Sequence, residues 1–170
     1  MFKIVITGPE STGKSTLSIA LANHFKVVQV EEYARTYLQN LTKNYIQQDL
    51  TEMAKGQIAL EDKALEIDSK FIVCDTSLEV IKIWSEFKYG ECASFITSSL
   101  QKRKPDLYLL MTPDLPWEED PLRENPGNRQ ELFGLYKNEL INSKVPFYEI
   151  TGNGETRLAM AIEVIENILT

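Results

Sequence analysis

A glycine-rich stretch near the amino end constrains the fold of this chain more than any other feature. It spans residues 8–16 with the letters GPESTGKST, after an apolar run at 2–6 and before a helix-like pattern that begins at Leu17. Its spacing fits the Walker A phosphate loop, which connects a strand to a helix. The sequence therefore predicts a P-loop fold built on a strand–loop–helix unit that binds a nucleoside triphosphate.

Each residue type in this loop has a chemical reason. Gly8 and Gly13 allow backbone angles that are closed to residues with a Cβ, so that successive N–H groups point at phosphate oxygens. The helix that follows adds its positive dipole end. Lys14 is expected to reach the β- and γ-phosphates of ATP, and the Ser15 hydroxyl is expected to be a ligand of Mg²⁺. The nucleotide-binding residues of the loop are predicted to be Gly8, Glu10, Ser11, Thr12, Gly13, Lys14, Ser15 and Thr16.

Composition bounds the kind of partner. The 170 residues include 18 Lys and Arg against 25 Asp and Glu, which gives a formal net charge of −7. Nucleic acids and anionic membranes need a basic face, so we expect neither as a partner. A neutral or cationic small molecule suits this balance better, and the sequence leaves the oligomeric state open.

The cysteines and the first residues of the chain indicate the cellular compartment that we expect for the protein. Cys74 lies in an apolar run and is interpreted as a buried thiol, and two cysteines do not make a disulfide framework. The chain enters the first strand directly, so we expect no signal peptide, and no apolar run approaches the length of a membrane span. These features favour the cytoplasm. His24, the single histidine, is interpreted as a surface residue.

Strand and helix patterns alternate along the chain, which is typical of a parallel sheet covered by helices. We expect a single P-loop kinase domain over 1–170, a three-layer α/β fold with a five-stranded parallel sheet and helices on both faces. The segment 112–129 contains four prolines and is predicted to be a lid-like loop. The predicted strands are 2–7, 27–31, 71–75, 106–111 and 147–150. The predicted helices are 14–25, 32–41, 46–68, 76–88, 91–103, 127–143 and 155–169.

Two carboxylates follow the second strand. Glu31 or Glu32 could accept the proton of an attacking hydroxyl or hold a substrate hydroxyl, because polar groups at strand ends face the ligand site of such folds. The same residues could instead cap the next helix, since acidic side chains favour helix amino ends. Arg35 lies one helical turn further on and is either a substrate contact or the ion-pair partner of one of them.

Asp75 ends the third apolar run, at residues 71–74. An apolar strand that ends in aspartate is the Walker B pattern, whose carboxylate orders Mg²⁺ and in small kinases also acts as a base. An N-cap role is the alternative, because many helices begin with aspartate. We predict a metal-binding, substrate-binding or catalytic role for Asp75.

Aromatic and arginine side chains are further candidates for contact with the substrate or the phosphates. Trp84 and Tyr89, and also Tyr33, could stack on a planar ring, although aromatic residues on helices more often belong to the core. Arg123 and Arg129 lie in the lid-like loop, where a mobile arginine would stabilise charge on a phosphoryl group in transfer.

The turn after the fifth strand, residues 151–157, could pass beside adenine by analogy with other nucleotide-binding folds. Gly152 and Asn153 are its candidates for nucleotide contact, and ordinary turn chemistry is the alternative.

Taken together, these stretches resemble the ribosylnicotinamide kinase domain of the bacterial NadR type. The resemblance spans nearly the whole chain and is most specific in the phosphate loop and in the Pro-Asp-x-Pro-Trp segment at 113–117. It also includes residues 31–35, Asp75-Thr76, Trp84 and the lid arginines. Where that family commonly has Asp-Thr-Asp, this chain has Ser77 in the third position.

The resemblance implies transfer of the γ-phosphate of ATP to nicotinamide riboside, with Mg²⁺, to give nicotinamide mononucleotide in NAD salvage. A flat pyridinium cation suits carboxylates and aromatic faces, and Trp117 joins the aromatic candidates on this ground. The alternatives are a kinase of another nucleoside or nucleotide, and a non-kinase ATPase or nucleotide-binding regulatory module. A small GTPase is disfavoured because the chain has no Asn-Lys-x-Asp run.

Overall fold

The computed structural model describes residues 1–169, and its centre is one five-stranded sheet. Every pair of neighbouring strands is parallel, in the order β2-β3-β1-β4-β5. The phosphate loop follows the central strand, so it emerges from the middle of the carboxyl edge of the sheet. The strands are β1 (Phe2–Thr7), β2 (Val28–Val30), β3 (Phe71–Asp75), β4 (Leu107–Met111) and β5 (Phe147–Ile150).

Seven helices lie between and after the strands in the described residues, with two consecutive helices after β2 and two after β3. The predicted fold class is confirmed. The first helix has the predicted bounds, whereas the third ends three residues before its predicted end and the second strand is shorter by one residue at each end. The helices are α1 (Lys14–Phe25), α2 (Tyr33–Gln39), α3 (Gln47–Leu65), α4 (Leu78–Tyr89), α5 (Ser94–Lys102), α6 (Arg129–Ser143) and α7 (Gly154–Leu169).

Each face of the sheet carries its own apolar core, which gives three layers. On one face, Ile4 and Ile6 of β1 pack with residues of α1 and α7. On the other face, Val5 packs with residues of α3, α4 and α6. Strands β3 and β4 are buried along their whole length, which explains why their sequences are continuous apolar runs without alternation. Cys74 is a free, buried thiol as predicted.

A third apolar cluster lies beside the sheet, where α2, α3, α4 and α5 meet around Leu50, Met53 and Ile81. This cluster fixes α2 and α4, which follow β2 and β3 and border the carboxyl edge of the sheet. Within residues 1–169, no helix combines the length and apolar character that crossing a membrane requires.

Charged groups are buried between the sheet and helices α3 and α4. The Lys3 ammonium donates to the Glu61 carboxylate at 2.9 Å and to the carbonyl of Arg103 at 2.8 Å. Glu79 is completely buried nearby, close to Thr7, and neither of its carboxylate oxygens has a hydrogen-bond partner of normal geometry among residues 1–169. Burial raises the pKa of Glu79 from 4.5 to about 7.

Glu79 should make the stability of the protein depend on pH. Because its pKa is raised in the folded state, its contribution is fully present below about pH 4.5 and is lost as the pH rises through about 7. The Glu79→Gln variant should therefore gain stability relative to the wild type between pH 5 and pH 8, by about 2 kcal/mol. Urea unfolding at both pH values measures this difference, and a difference that does not change with pH would contradict the shift.

Candidate active site

The phosphate loop turns back on the end of β4, and Gly8 makes this possible. Its φ is +133°, and a Cβ on this residue would lie 2.7 Å from the carbonyl oxygen of Met111. Gly13 precedes α1 with φ +79°, and Ser11 also has a positive φ of +55°. The Thr12 hydroxyl donates to the carbonyl of Pro9 at 2.8 Å and closes the loop on itself. The loop is therefore a fixed ring of main-chain groups at the amino end of α1.

We expect Gly8→Ala to destabilise the protein by about 3 kcal/mol, because it adds backbone strain to a collision with a main-chain oxygen that has little freedom to move. Gly134→Ala is the matched control, since Gly134 lies inside α6 and a Cβ there meets nothing within 4 Å. The control should be more stable than the wild type by about 0.5–1 kcal/mol. Equal stability of the two variants in chemical denaturation would contradict the close approach at Gly8.

Lys14 lies at the floor of the site, where its ammonium donates to the carbonyl of Pro9 at 2.7 Å. Burial lowers the pKa of Lys14, while the nearby carboxylates of Glu32, Asp75 and Glu10 act in the opposite direction. One half-buried cation thus lies near three carboxylates at the point where α1 begins. This concentration of charge suits the binding of a polyanion together with a divalent cation.

Asp75 lies at the end of β3 and is buried, next to the Ser15 hydroxyl. Burial raises the pKa of Asp75, and Ser15 and Lys14 oppose this shift. Its Oδ1 atom has no hydrogen-bond partner in the described part of the chain. The next residue, Thr76, has φ +68°, which is rare for a β-branched side chain and marks local strain beside this carboxylate.

The two glutamates after β2 have separate positions. Glu32 lines the cavity above the phosphate loop, whereas Glu31 is exposed to solvent. Burial raises the pKa of Glu32, and Lys14 opposes the shift. Arg35 also lines the cavity and forms an ion pair at 3.0 Å with Asp120, not with either glutamate. Glu32 is thus a carboxylate that faces the loop lysine across the site.

A cavity of about 380 Å³ opens between the phosphate loop and the helices α2, α4 and α6. Its polar lining includes the loop itself with Lys14 and Ser15, and the charged side chains of Glu32 and Arg35 also line it. The rest of the lining is mainly apolar and aromatic. These side chains include Leu38, Val80, Ile83, Trp84, Phe87, Leu132 and Tyr136.

The connection from β4 to α6 covers the phosphate loop. Residues 112–128 form turns and bends without a helix or strand. Two loop residues hold this 112–128 segment. The Ser11 hydroxyl accepts the main-chain N–H of Glu118 at 2.9 Å, and the Glu10 carboxylate accepts those of Glu124 at 3.2 Å and Asn125 at 2.9 Å. Side chains of the loop thus position the segment that lies over it.

The two arginines of this region have different contacts. Arg123 lines the cavity, and its guanidinium donates to the Ser11 hydroxyl at 3.4 Å. Arg129, at the start of α6, donates to the carbonyls of Leu115 at 2.9 Å and Ser11 at 3.3 Å and lies outside the cavity lining. Trp117 lies between them, its ring centre within 6 Å of both guanidinium carbons, and it too lies outside the lining. Arg123 is the arginine placed to meet a ligand.

Arg157 is a residue that our reading of the sequence did not single out. Its guanidinium is buried at the start of α7 and donates to the carbonyl of Thr12 in the phosphate loop, to the carbonyl of Thr112 and to the Asp114 carboxylate. Asp114 in turn accepts the N–H of Gly152 at 2.7 Å. Asp114 belongs to the Pro-Asp-x-Pro-Trp segment that the sequence singled out, but only the three-dimensional structure shows that Arg157 is its partner.

Several predicted contact residues lie outside the cavity. The ring of Tyr33 covers Gly56 of α3 so closely that a Cβ on that glycine would lie 2.0 Å from the ring. Tyr89 packs in the third apolar cluster. Gly152 and Asn153 use their polar groups within their own turn and its contacts with Asp114, Thr156 and Arg157. Their neighbour Gly154 does line the cavity.

Comparison with known proteins places the chain in a family. The family model described as an AAA domain matches residues 3–157, which is most of the chain. The chain belongs to this AAA domain family. Its phosphate loop and parallel sheet are therefore features of a P-loop domain.

Two curated relatives resemble the chain over nearly its full length. The trifunctional NAD biosynthesis/regulator protein NadR of Escherichia coli (strain K12) is 25% identical over 175 residues, and its Salmonella typhimurium counterpart is 24% identical. Each match covers 98% of this chain but only 42% of the relative. The chain thus spans about two fifths of the length of these proteins, and the resemblance to the NadR type that the motifs indicated is confirmed.

Solved structures share the fold. A NadR protein in complex with NR superposes with a TM-score of 0.79 at 20% identity, over 98% of this chain and 51% of that one. The deoxyadenosine kinase from M. mycoides, with dCMP and dCDP bound, has a TM-score of 0.71 at 14% identity and is covered over its full length. At these identities the likeness shows the fold alone.

Proposed function

We propose that this protein transfers the γ-phosphoryl group of ATP to the 5′-hydroxyl of nicotinamide riboside. The observation that carries the proposal is that one cavity is lined by the whole phosphate loop, by the carboxylate of Glu32 and by apolar and aromatic side chains. A triphosphate and an alcohol would bind next to each other in this cavity, with no layer of water between them. The NadR relatives, and the NadR structures in complex with NR and with NAD and AMP-PNP, support the choice of acceptor.

The roles of the residues follow from their positions. The main-chain amides of the phosphate loop and Lys14 bind the phosphates, and Arg123 stabilises the negative charge that spreads over the phosphoryl group in transfer. Glu32 accepts the proton of the attacking hydroxyl, because it faces the cavity and its raised pKa makes it a better base than an ordinary glutamate. The 5′-oxygen forms a bond to the γ-phosphorus, the bond from that phosphorus to its bridging oxygen breaks, and ADP leaves.

Ser15 and Asp75 fit a magnesium ion. The buried Oδ1 atom of Asp75, without a hydrogen-bond partner among residues 1–169, is an oxygen donor of the kind that Mg²⁺ prefers, directly or through water. The structure shows no group of three or more His, Cys, Asp or Glu side chains for a metal in those residues, so phosphate and water oxygens would complete the coordination. A bound Mg²⁺ would neutralise charge on the β- and γ-phosphates.

The acceptor pocket suits a flat cation. Trp84 and Tyr136 are aromatic side chains of its lining, and Glu32 adds a carboxylate to the same lining. A pyridinium ring on a ribose gains from both the aromatic face and the carboxylate. A neutral purine or pyrimidine would gain only from stacking, which is how this pocket would prefer nicotinamide riboside.

A panel of acceptors tests the proposal. Release of ADP from Mg·ATP is measured with nicotinamide riboside, with deoxyadenosine, with deoxycytidine and with no acceptor. We expect stimulation by nicotinamide riboside, with one nicotinamide mononucleotide formed per ADP. Stimulation only by a deoxynucleoside would reassign the acceptor, and ATP hydrolysis that no acceptor changes would favour an ATPase module.

A further inference from the structure

The hydroxyl of Tyr45 connects three side chains, one of which is the cavity-lining Trp84. It accepts a hydrogen bond from the Trp84 indole N–H at 3.0 Å and one from the Lys88 ammonium, and it donates to the Glu124 carboxylate at 2.8 Å. One donor and two acceptor lone pairs are thus all used. Burial is the main cause that raises the pKa of Tyr45 to about 12, so the hydroxyl keeps its proton at neutral pH.

These contacts fix the indole of Trp84, which lines the cavity. The rings of Tyr45 and Trp84 pack edge to face with centroids 5.0 Å apart, and the ammonium of Lys88 lies 4.0 Å from the centre of the Tyr45 ring. Lys88 also pairs with Glu124 at 3.0 Å. Exposed ion pairs of this kind contribute little to stability, so their effect here is on orientation.

Glu124 is also attached on its other side. Its main-chain N–H and that of Asn125 are held by the carboxylate of Glu10 in the phosphate loop. One residue of the 112–128 segment therefore contacts the phosphate loop through its backbone and, through its side chain, the tyrosine that holds Trp84. Glu124 therefore has direct contacts with both Glu10 and Tyr45.

We propose that Glu124 is a positioning residue that couples the two ends of the site. Glu10 holds Glu124 over the phosphate loop. Glu124 in turn holds the Tyr45 hydroxyl, which orients the indole ring of Trp84 relative to the acceptor. This inference rests on the proposed function for its substrates, but the contacts themselves are independent of it. A phosphate loop that holds its covering segment in place would thereby also shape the pocket for the alcohol.

Substitutions at Tyr45 and Glu124 test the coupling. Tyr45→Phe and Glu124→Ala should each raise the KM for nicotinamide riboside about fivefold to tenfold and leave the KM for ATP within about twofold, as expected from the loss of about one hydrogen bond. Tyr148→Phe is the matched control for the first variant, because Tyr148 is 45% exposed on β5. Glu119→Ala is the control for the second, since Glu119 is exposed in the same segment.

A double-mutant cycle separates coupling from two independent losses. Glu10→Ala and Tyr45→Phe should be less than additive in their effect on the KM for nicotinamide riboside, because either change frees Glu124. Additive effects would overturn the proposal. So would equal increases in the KM for ATP and for the riboside after Tyr45→Phe.

A spectroscopic measurement keeps the test independent of turnover. With Trp117→Phe in the background, Trp84 is the only tryptophan of the chain. Its emission and anisotropy should change on Tyr45→Phe, on Glu124→Ala and on Glu10→Ala, but not on Glu119→Ala. If the wild type phosphorylates no nucleoside while these changes occur, the proposed function fails and the positioning of Trp84 stands. Unchanged Trp84 emission in Glu124→Ala overturns the positioning role itself, even if Tyr45→Phe changes it.

Discussion

Replacing Lys14 with alanine should lower kcat by at least about 1,000-fold, because it removes the cation that would face the phosphates in transfer. The ammonium lies among the carboxylates of Glu32, Asp75 and Glu10, so its loss also leaves this negative charge without compensation. The KM for ATP should rise as well, since part of the attraction acts on the bound nucleotide before transfer. Steady-state kinetics with ATP titrated at saturating acceptor measures both effects.

Lys63→Ala is the control for this variant. Lys63 is exposed on α3, and its removal changes the net charge of the protein by the same amount. We expect its kinetics to match the wild type. A Lys14→Ala protein that is folded by circular dichroism and keeps near wild-type turnover would remove the phosphate loop from the chemistry.

The second large effect is expected at Glu32. Glu32→Gln should lower kcat by about 1,000-fold, because glutamine has nearly the same shape but does not accept the proton of the attacking hydroxyl. Glu31→Gln provides the adjacent control, since the side chain of Glu31 is exposed. Equal losses in the two variants would contradict the assignment of the base to the cavity-facing residue.

The assignment of Glu32 as the base also predicts the direction in which activity changes with pH. A base acts when deprotonated, so kcat/KM should rise with pH through the pKa of Glu32, which burial raises above the ordinary glutamate value. The acidic limb of the wild-type profile should therefore lie above pH 4.5 and should be absent in Glu32→Gln. Asp75→Asn should keep that limb and instead change the dependence on Mg²⁺. A limb that disappears only in Asp75→Asn would transfer the role of base to Asp75.

Local sequence patterns were enough to predict the framework of this protein. The strand, loop and helix around residues 2–25 follow from glycine spacing and helix periodicity, and α1 begins and ends where predicted. The buried strands β3 and β4 follow from apolar runs that two helical layers cover. Here the residues that decide the structure are neighbours in the chain, so the sequence contains the information directly.

The candidate site needed more than local patterns. Glu31 and Glu32 are adjacent in sequence and chemically alike, and only the position where β2 ends decides which one faces the cavity. Tyr33 is an aromatic residue of the kind that contacts ligands. Its ring instead packs against Gly56 of α3, 23 residues later in the chain, because a glycine leaves room for it there. An aromatic residue on a helix can pack in the core or contact a ligand, and the tertiary packing decides which of the two occurs.

Long-range contacts account for what the sequence did not reveal. Arg157 reaches Thr12 across 145 positions, and Tyr45 reaches Glu124 across 79. Neither pair belongs to a motif with fixed spacing, because the segments between them are whole strands and helices of the fold. The resemblance to the NadR type named Asp114 through its motif, but not the arginine that it holds.

Transfer of labelled phosphate tests the central claim most directly. Wild-type protein is incubated with ATP labelled in the γ-phosphate, Mg²⁺ and nicotinamide riboside, and the products are separated. We predict that the label appears in nicotinamide mononucleotide, in step with the ADP formed, and that Glu32→Gln nearly abolishes this transfer. Label that appears only in inorganic phosphate, or that stays in ATP with every nucleoside offered, would contradict the account.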